Sequence, residues 1–201
     1  MSTIDSAASL RAKIKACILC AKNLPHGPRP VTSWSVKSRI LIIGQAPGRV
    51  VHESGVPRQD VSGRVLRNWL SVSDEIFYDP EQFGLMPMGF CYPGKGKSGD
   101  LPPRPECATL WHDEILDHLK QVKLTILIGK YAQNYYLGKK AHKTLTENVK
   151  AYKQFWPEIL PLPHPSPRNR PWLFANPWFE KDLIPQLQKR VRTALSGTIA
   201  G

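Results

Sequence analysis

The sequence lacks the long apolar segments that place a chain in a membrane. Its 201 residues contain no run of about 18 apolar residues, the length that a membrane-spanning helix requires. The N-terminal segment, MSTIDSAASLRAKIKACILC, does not combine a basic stretch with an apolar core, so we expect no secretory signal. Internal repeats and low-complexity tracts are also missing. We therefore expect a cytoplasmic protein that does not bind membranes.

Acidic residues are scarce relative to basic ones. The chain has 16 acidic and 28 basic residues, which gives a formal net charge of +12 and an isoelectric point near 9.7. Such a balance favours a polyanionic partner, most simply nucleic acid. A basic surface that serves only solubility is the alternative.

Four short apolar runs predict buried strands, and segments with helical character lie between them. These runs are RILIIG (39–44), FGLMPMGF (83–90), LTILIG (124–129) and EILPL (158–162). Strands that alternate with helices predict an α/β fold, here a three-layer α/β/α arrangement around a four-stranded, mostly parallel sheet. With 41% hydrophobic residues, the chain is long enough for one packed domain and short for two, so we expect a single domain over 1–201 and a monomer.

Helix boundaries follow from capping residues and apolar stripes. Ser6 is the predicted cap of a first helix that runs to about Ala21 and carries Ile18 and Leu19 on its apolar face. Ser62 is the predicted cap of the helix after the first strand. A further helix is predicted from Glu106 to Val122.

Three long or unusual loops follow predicted strands. They are GQAPG…QDVSG (44–63), CYPGKGKSGDLPPRPEC (91–107) and HPSPRN (164–169). Ligands of parallel sheets bind beyond the carboxyl ends of the strands, so these loops are expected to form one three-sided site. Prolines at 163, 165 and 167 stiffen the last loop, which predicts that His164 is held at a fixed angle.

Two of these motifs resemble a known family. GQAPG after the first strand and HPSPRN after the last are similar to the two signature motifs of the uracil-DNA glycosylase superfamily. The resemblance implies a DNA glycosylase that excises uracil, or deaminated purines such as hypoxanthine and xanthine, from single- or double-stranded DNA. A DNA-binding or damage-sensing relative without catalysis is the alternative.

The chain has four cysteines: the pair Cys17-x2-Cys20, and Cys91 and Cys107 at the ends of the second long loop. Four thiolates suit an iron–sulfur cluster or tetrahedral zinc, and unliganded core cysteines are the remaining option. The resemblance to the family 4 and family 5 enzymes implies a [4Fe–4S] cluster on all four residues. A thiol oxidoreductase is disfavoured, because Cys17-x2-Cys20 precedes the first strand.

Catalytic roles also come from the resemblance. Ala46 stands where the best-known members carry an aspartate, whereas Asp60 in QDVSG matches the aspartate of family 5. Asp60 and His164 are thus the expected catalytic pair, and Glu53 is the alternative carboxylate. Taken alone, without the motifs on either side, Asp60 is better explained as a helix-start carboxylate next to Ser62.

The remaining predicted contacts concern the base and the DNA backbone. LMPMGFC lacks the asparagine with which strict uracil enzymes recognise the base. Either backbone groups around Met86 to Gly89 recognise it instead, or the pocket is broad, as in the family 5 enzymes that also accept deaminated purines. Expected base-binding residues are Gln45, Ala46, Gly48, Arg58 and Met88. Expected DNA-binding residues are Ser166, Arg168, Asn169, Lys95 and Lys97.

Overall fold

A four-stranded parallel sheet lies at the centre of the molecule. The computed structural model describes residues 3–196, and its sheet strands are β1 (Ile40–Ile43), β2 (Phe83–Leu85), β5 (Leu124–Ile128) and β6 (Ile159–Leu162). Their spatial order is β2-β1-β5-β6, and every neighbouring pair is parallel. The predicted α/β class and the four-stranded sheet are therefore confirmed.

The helices cover both faces of this sheet. In chain order they are α1 (Thr3–Lys15), α2 (Arg49–Ser54), α3 (Val61–Leu70), α4 (Asp74–Tyr78), α5 (Asp113–His118), α6 (Lys130–Leu137), α7 (Leu145–Lys150), α8 (Arg170–Ala175) and α9 (Ile184–Ser196). Short π-helical segments precede α5 (Ala108–His112) and α9 (Phe179–Leu183). Among the described residues, no helix has both the length and the apolar character needed to cross a bilayer.

Alternation along the strands produces two separate cores. In β1, Ile40 and Ile42 belong to a buried cluster that includes side chains of α3 and α9. Leu41 and Ile43 belong to a second cluster, which includes side chains of α1, α5 and α6. Successive side chains of a strand point to opposite faces, so both faces are covered and the strands need apolar residues throughout.

The first helix is shorter than predicted. α1 ends at Lys15, so Cys17 and Cys20 lie in the turn that follows it and not on the helix. Ile18 and Leu19, expected on the apolar face, are 71% and 64% exposed. The turn buries Cys20 and leaves the two aliphatic residues in solvent, an arrangement that a continued helix stripe does not give.

Two further differences lie near the carboxyl edge of the sheet. β2 ends at Leu85, so the predicted strand 83–90, with its interruption at Pro87, is too long. Single hydrogen bonds such as Met88 N–H to the Gly44 carbonyl continue the pairing with β1 beyond it. A small antiparallel hairpin, β3 (Lys95–Gly96) and β4 (Gly99–Asp100), stands within the loop between Cys91 and Cys107. This hairpin was not predicted.

Candidate active site

A cavity of about 390 Å³ opens at the carboxyl ends of the sheet strands. Its volume is in the range typical of small-molecule sites, roughly 300–1,000 Å³. All three predicted loops contribute to its wall, and the structure therefore brings them together as the parallel sheet predicts. Eight predicted site residues line it: Gln45, Ala46, Gly48, Arg58, Asp60, His164, Ser166 and Arg168.

Four predicted site residues lie outside this wall. Met88 is buried behind it, and Met86 and Pro87 line the cavity in its place. Lys95 and Lys97 are exposed on the β3–β4 hairpin, whose Ser98, Gly99 and Asp100 do line the cavity. Asn169 supports the wall from outside, as described below. These four residues are not cavity residues in this structure.

Asp60 both caps a helix and lines the cavity. It is the N-cap of α3, with its Oδ1 accepting a hydrogen bond from the Gly63 N–H at 2.8 Å, and its side chain also lines the cavity. The predicted cap, Ser62, lies inside the helix instead. A carboxylate at a helix N-terminus is held in place by the backbone donors and the helix dipole, so its orientation is fixed before any ligand binds.

Glu53, the alternative carboxylate, does not line the cavity. It lies at the end of α2, where its Oε1 forms an ion pair with Arg49 Nε at 2.7 Å, and its side chain is largely exposed. A second carboxylate does line the cavity, namely Asp100 of β4. The Tyr92 hydroxyl is 3.4 Å from its Oδ1, and its Oδ2 faces the backbone of Gly48 in the GQAPG turn.

Asp100 was not among the predicted site residues, because residues 91–107 have the composition of an irregular loop. The pattern KGKSGD contains glycines around a tight reversal, and that is the signal for a hairpin that redirects a side chain. The two-residue strands are too short to show alternation.

His164 projects into the cavity from the loop after β6. The Asn169 side-chain amide donates to the His164 carbonyl at 2.7 Å, and the Ser166 hydroxyl accepts the Arg168 N–H at 3.3 Å, so the loop is braced internally. Burial and the nearby Arg58 guanidinium lower the pKa of His164 from 6.5 to about 3. The imidazole is therefore neutral at physiological pH. Its nitrogens make no hydrogen bond within residues 3–196 and remain available to a ligand.

Arg58 occupies a constrained position in the wall. Its backbone has φ +58°, and its carbonyl accepts hydrogen bonds from Arg67 Nη1 and from the Tyr78 hydroxyl, both at 3.3 Å. Its guanidinium lies directly against Gly44 at the end of β1, where a larger residue would overlap it. The side chain is thus fixed at the carboxyl end of β1.

Backbone donors of Met86 to Gly89 do not face the cavity. The N–H groups of Met86, Met88 and Gly89 donate to the carbonyls of Ile42, Gly44 and Gln45 at 3.0, 2.9 and 3.0 Å. Pro87 has no N–H, and its carbonyl accepts from His112 Nε2 at 3.1 Å. The N–H groups of this segment are therefore not available to recognise the base, because each is already used to extend the pairing with β1.

Comparison with known families adds an independent observation. The family model described as the uracil DNA glycosylase superfamily matches residues 33–188, which is more than half of the chain. This chain belongs to the uracil DNA glycosylase superfamily. Membership implies a DNA substrate and a glycosylase that hydrolyses deaminated bases from it. The match begins after Cys17 and Cys20, so it does not extend to the first cysteine pair.

In this superfamily member a second cavity collects the four cysteines. Cys17, Cys20, Cys91 and Cys107 all line it, and none forms a disulfide. Burial raises the pKa of Cys91 to about 11 and that of Cys107 to about 12. The Phe90 N–H donates to the Cys107 sulfur at 3.4 Å. In the described part of the chain, no group of three or more cysteine, histidine or carboxylate side chains is arranged so that it could hold a metal ion.

The rim of the glycosylase cavity is closed on one side by Arg168. Its Nη1 donates to the Ser98 carbonyl at 3.5 Å, which joins the HPSPRN loop to the β3–β4 hairpin. The exposed Lys95 and Lys97 lie on that hairpin. Basic side chains therefore stand around the opening, as a polyanionic substrate requires.

The low pKa of His164 predicts how stability depends on pH. In the unfolded chain a histidine binds its proton at a pKa of about 6.5, whereas folded His164 does so only near 3. The unfolded state thus binds more protons below about pH 6.5, and the free energy of unfolding decreases as pH falls from 7 to 5. Urea denaturation across this range measures the slope. His164→Ala is expected to reduce the slope without abolishing it, because burial also lowers the pKa of His112 to about 4. Equal slopes for wild type and His164→Ala would contradict the prediction.

Proposed function

We propose that this chain is a monofunctional DNA glycosylase of base excision repair. Its expected substrates are uracil first, and the deaminated purines hypoxanthine and xanthine second. One observation carries the proposal: Asp60 and His164, contributed by loops after different strands, line the same cavity in a member of the superfamily. The target base leaves the helical stack to enter that cavity.

The two side chains suit the two charges of the reaction. Cleaving the N-glycosidic bond builds positive charge on the sugar and negative charge on the departing base. Asp60 stabilises the cationic sugar and orients a water. The water oxygen bonds to C1′ while the C1′–N bond breaks, the bonding pair leaves with the base, and a water proton passes to the carboxylate.

His164 acts on the base side. As a neutral imidazole it donates an N–H to a base oxygen as that oxygen becomes anionic, together with amide hydrogens of the GQAPG turn. A donor of this kind contributes about 3 kcal/mol to transition-state stabilisation when it is preorganised. Pro163, Pro165 and the Asn169 brace hold the loop, which supports this role.

Contacts with DNA are proposed for the rim. Arg168 and Ser166 stand at the cavity, and Lys95, Lys97 and Asn169 stand around it, so they suit phosphates next to the flipped nucleotide. The net charge of +12 agrees with this proposal.

A [4Fe–4S] cluster on Cys17, Cys20, Cys91 and Cys107 is proposed as the structural cofactor, with zinc as the alternative. What supports this proposal is that the four thiols line one cavity, form no disulfide, and come from three separate segments of the chain. Burial and the charge of Glu106 raise the pKa of Cys20, and the guanidinium of Arg104, which also lines the cavity, opposes this rise. When bound, the cluster supplies a covalent cross-link that joins the turn after α1 to the hairpin loop.

A non-catalytic DNA-binding relative is the second candidate. Ala46 favours it, because it lines the cavity at the position where the best-known members carry an aspartate, and alanine has no carboxylate.

A panel of substrates tests the proposed function. Purified protein is incubated with single- and double-stranded DNA that contains uracil, hypoxanthine or xanthine, and abasic sites are cleaved and counted. We expect release of uracil, with unmodified cytosine and adenine strands as controls. Tight DNA binding with no release of any base would favour the non-catalytic candidate.

A further inference from the structure

The guanidinium of Arg58 faces the cavity without a hydrogen-bond partner among the described residues, and the nearby carboxylate of Asp60 acts on it through its charge. The side chain lines the cavity, yet in the part of the chain that the structure describes its guanidinium makes no hydrogen bond and no ion pair. Only the backbone carbonyl of Arg58 is engaged, by Arg67 and Tyr78. Arg58 is partly buried, and its guanidinium carries five N–H donors and no acceptor, so these donors are open to whatever fills the cavity. The cavity therefore suits a ligand that presents acceptors.

Local structure holds this guanidinium in place. Arg58 adopts a left-handed backbone conformation, which is unfavourable for a residue with a side chain. The Arg58 carbonyl approaches Gly63 closely, and the Arg58 guanidinium lies against Gly44. A Cβ at either glycine would overlap Arg58. The strained conformation is thus stabilised from several directions, as expected for a side chain with a defined target.

Few other donors are available to recognise a base. The N–H groups of Met86, Met88 and Gly89 are used within the protein, and the segment has no asparagine. Side chains must therefore add to the amide hydrogens of the GQAPG turn in recognising the base edge, and the five donors of Arg58 lie next to Gly44 at the start of that turn. His164 stands close enough for the Arg58 charge to act on it, so both donors converge on the same end of the cavity.

Deamination changes the base in the way that an arginine can distinguish. It replaces an exocyclic amino group, which is a donor, by a carbonyl oxygen, which is an acceptor; this is O4 of uracil or O6 of hypoxanthine and xanthine. Arginine has donors only. We infer that Arg58 is a specificity-determining residue, which donates to the carbonyl that deamination creates and excludes cytosine and adenine because their amino groups face its own N–H groups. This inference rests on the proposed function, since it assigns the base that the same cavity binds.

Binding to uncleavable DNA tests the inference without requiring turnover. Three single strands with a 2′-fluoro sugar at the target nucleotide, which resists hydrolysis, differ only in the target base: uracil, cytosine, or 2-pyrimidinone, which lacks the 4-oxygen. Affinities are measured by fluorescence anisotropy at one salt concentration. For wild type we expect a preference for uracil over cytosine on the order of 10- to 100-fold, the value of a hydrogen bond to a charged donor. The preference over 2-pyrimidinone should have the same direction and a smaller size.

Three variants separate recognition from charge. Arg58→Met keeps the aliphatic stem and removes the donors, so it is expected to bind all three strands alike. Arg58→Lys keeps the charge but not the planar fork, and should retain only part of the preference. Arg64→Met removes an exposed arginine of α3 as a matched control, and should keep the wild-type ratio between strands.

Each result supports or overturns the inference. An Arg58→Met protein that still prefers uracil as wild type does would overturn it, and so would a wild-type protein without any preference. Failure of the proposed function is distinguishable: a wild type that binds uracil through Arg58 but releases none from cleavable strands keeps the inference and loses the catalysis. A wild type that releases uracil while Arg58→Met releases it with unchanged selectivity against cytosine keeps the catalysis and loses the inference.

Discussion

Replacement of Asp60 by asparagine should lower the single-turnover rate of base excision by roughly 100-fold or more, a loss of the size found for one preorganised catalytic group. The physical reason is that the carboxylate meets the sugar cation only in the transition state, so DNA binding should change much less than the rate. Asparagine is the sharpest substitution, because it caps a helix as well as aspartate does. Asp60→Ala removes the cap as well, and should cost an additional 0.5–2 kcal/mol of stability, roughly the value of a cap.

The other carboxylates provide the controls for this prediction. Glu53→Ala should behave as wild type, since Glu53 is paired with Arg49 outside the cavity. Asp100→Asn is the decisive comparison, because Asp100 lines the cavity beside the GQAPG turn. If Asp60→Asn excises at the wild-type rate while Asp100→Asn is inactive, the catalytic carboxylate is Asp100 and the assignment to Asp60 is wrong.

Loss of any one cysteine should release the proposed cluster and destabilise the fold. Protein purified without oxygen is expected to be brown, to absorb in the visible range and to contain about four irons per chain. Cys17→Ser and Cys107→Ser should both remove the colour and the iron, and both should lower the melting temperature. If the four cysteines bind one cluster, loss of any one ligand releases the whole cluster, so the four single substitutions should have similar effects.

The contrast between these two variants separates a cluster from ordinary packing. Cys17 is partly exposed, whereas Cys107 is buried. If the cysteines only fill space, Cys17→Ser should cost little and Cys107→Ser should cost more, because only the latter places a hydroxyl in the core. A colourless wild type with one zinc per chain would contradict the iron–sulfur proposal and support the zinc alternative.

The sheet was predictable because its strands are buried on both faces. Each strand is a continuous apolar run, and the alternation of strands with helices leaves few topologies. Convergence of the loops after β1 and β6 followed from the parallel sheet alone. The end of α1 was not predictable in the same way, because Ile18 and Leu19 continue the apolar stripe although the chain turns there to bury Cys20.

Within the site, residue types were predictable and side-chain directions were not. Asp60, His164 and Arg58 lie at the cavity as the motifs indicate. The second carboxylate at the cavity is Asp100 and not Glu53, because the β3–β4 hairpin places Asp100 there. Its strands have two residues each, too short to show an alternation of buried and exposed side chains. Whether backbone donors are free depends on hydrogen bonds between β1 and the segment after β2, and a sequence does not show which donors are already used.

We propose that this cavity catalyses excision and that His164 stabilises the departing base, and this claim is open to measurement. The most direct test measures single-turnover release of uracil from DNA and the affinity for the same DNA, with wild type and His164→Ala side by side. We expect wild type to release uracil and His164→Ala to do so on the order of 100-fold more slowly, with nearly unchanged affinity. Equal rates for the two proteins, or a wild type that binds this DNA and releases nothing, would contradict the claim.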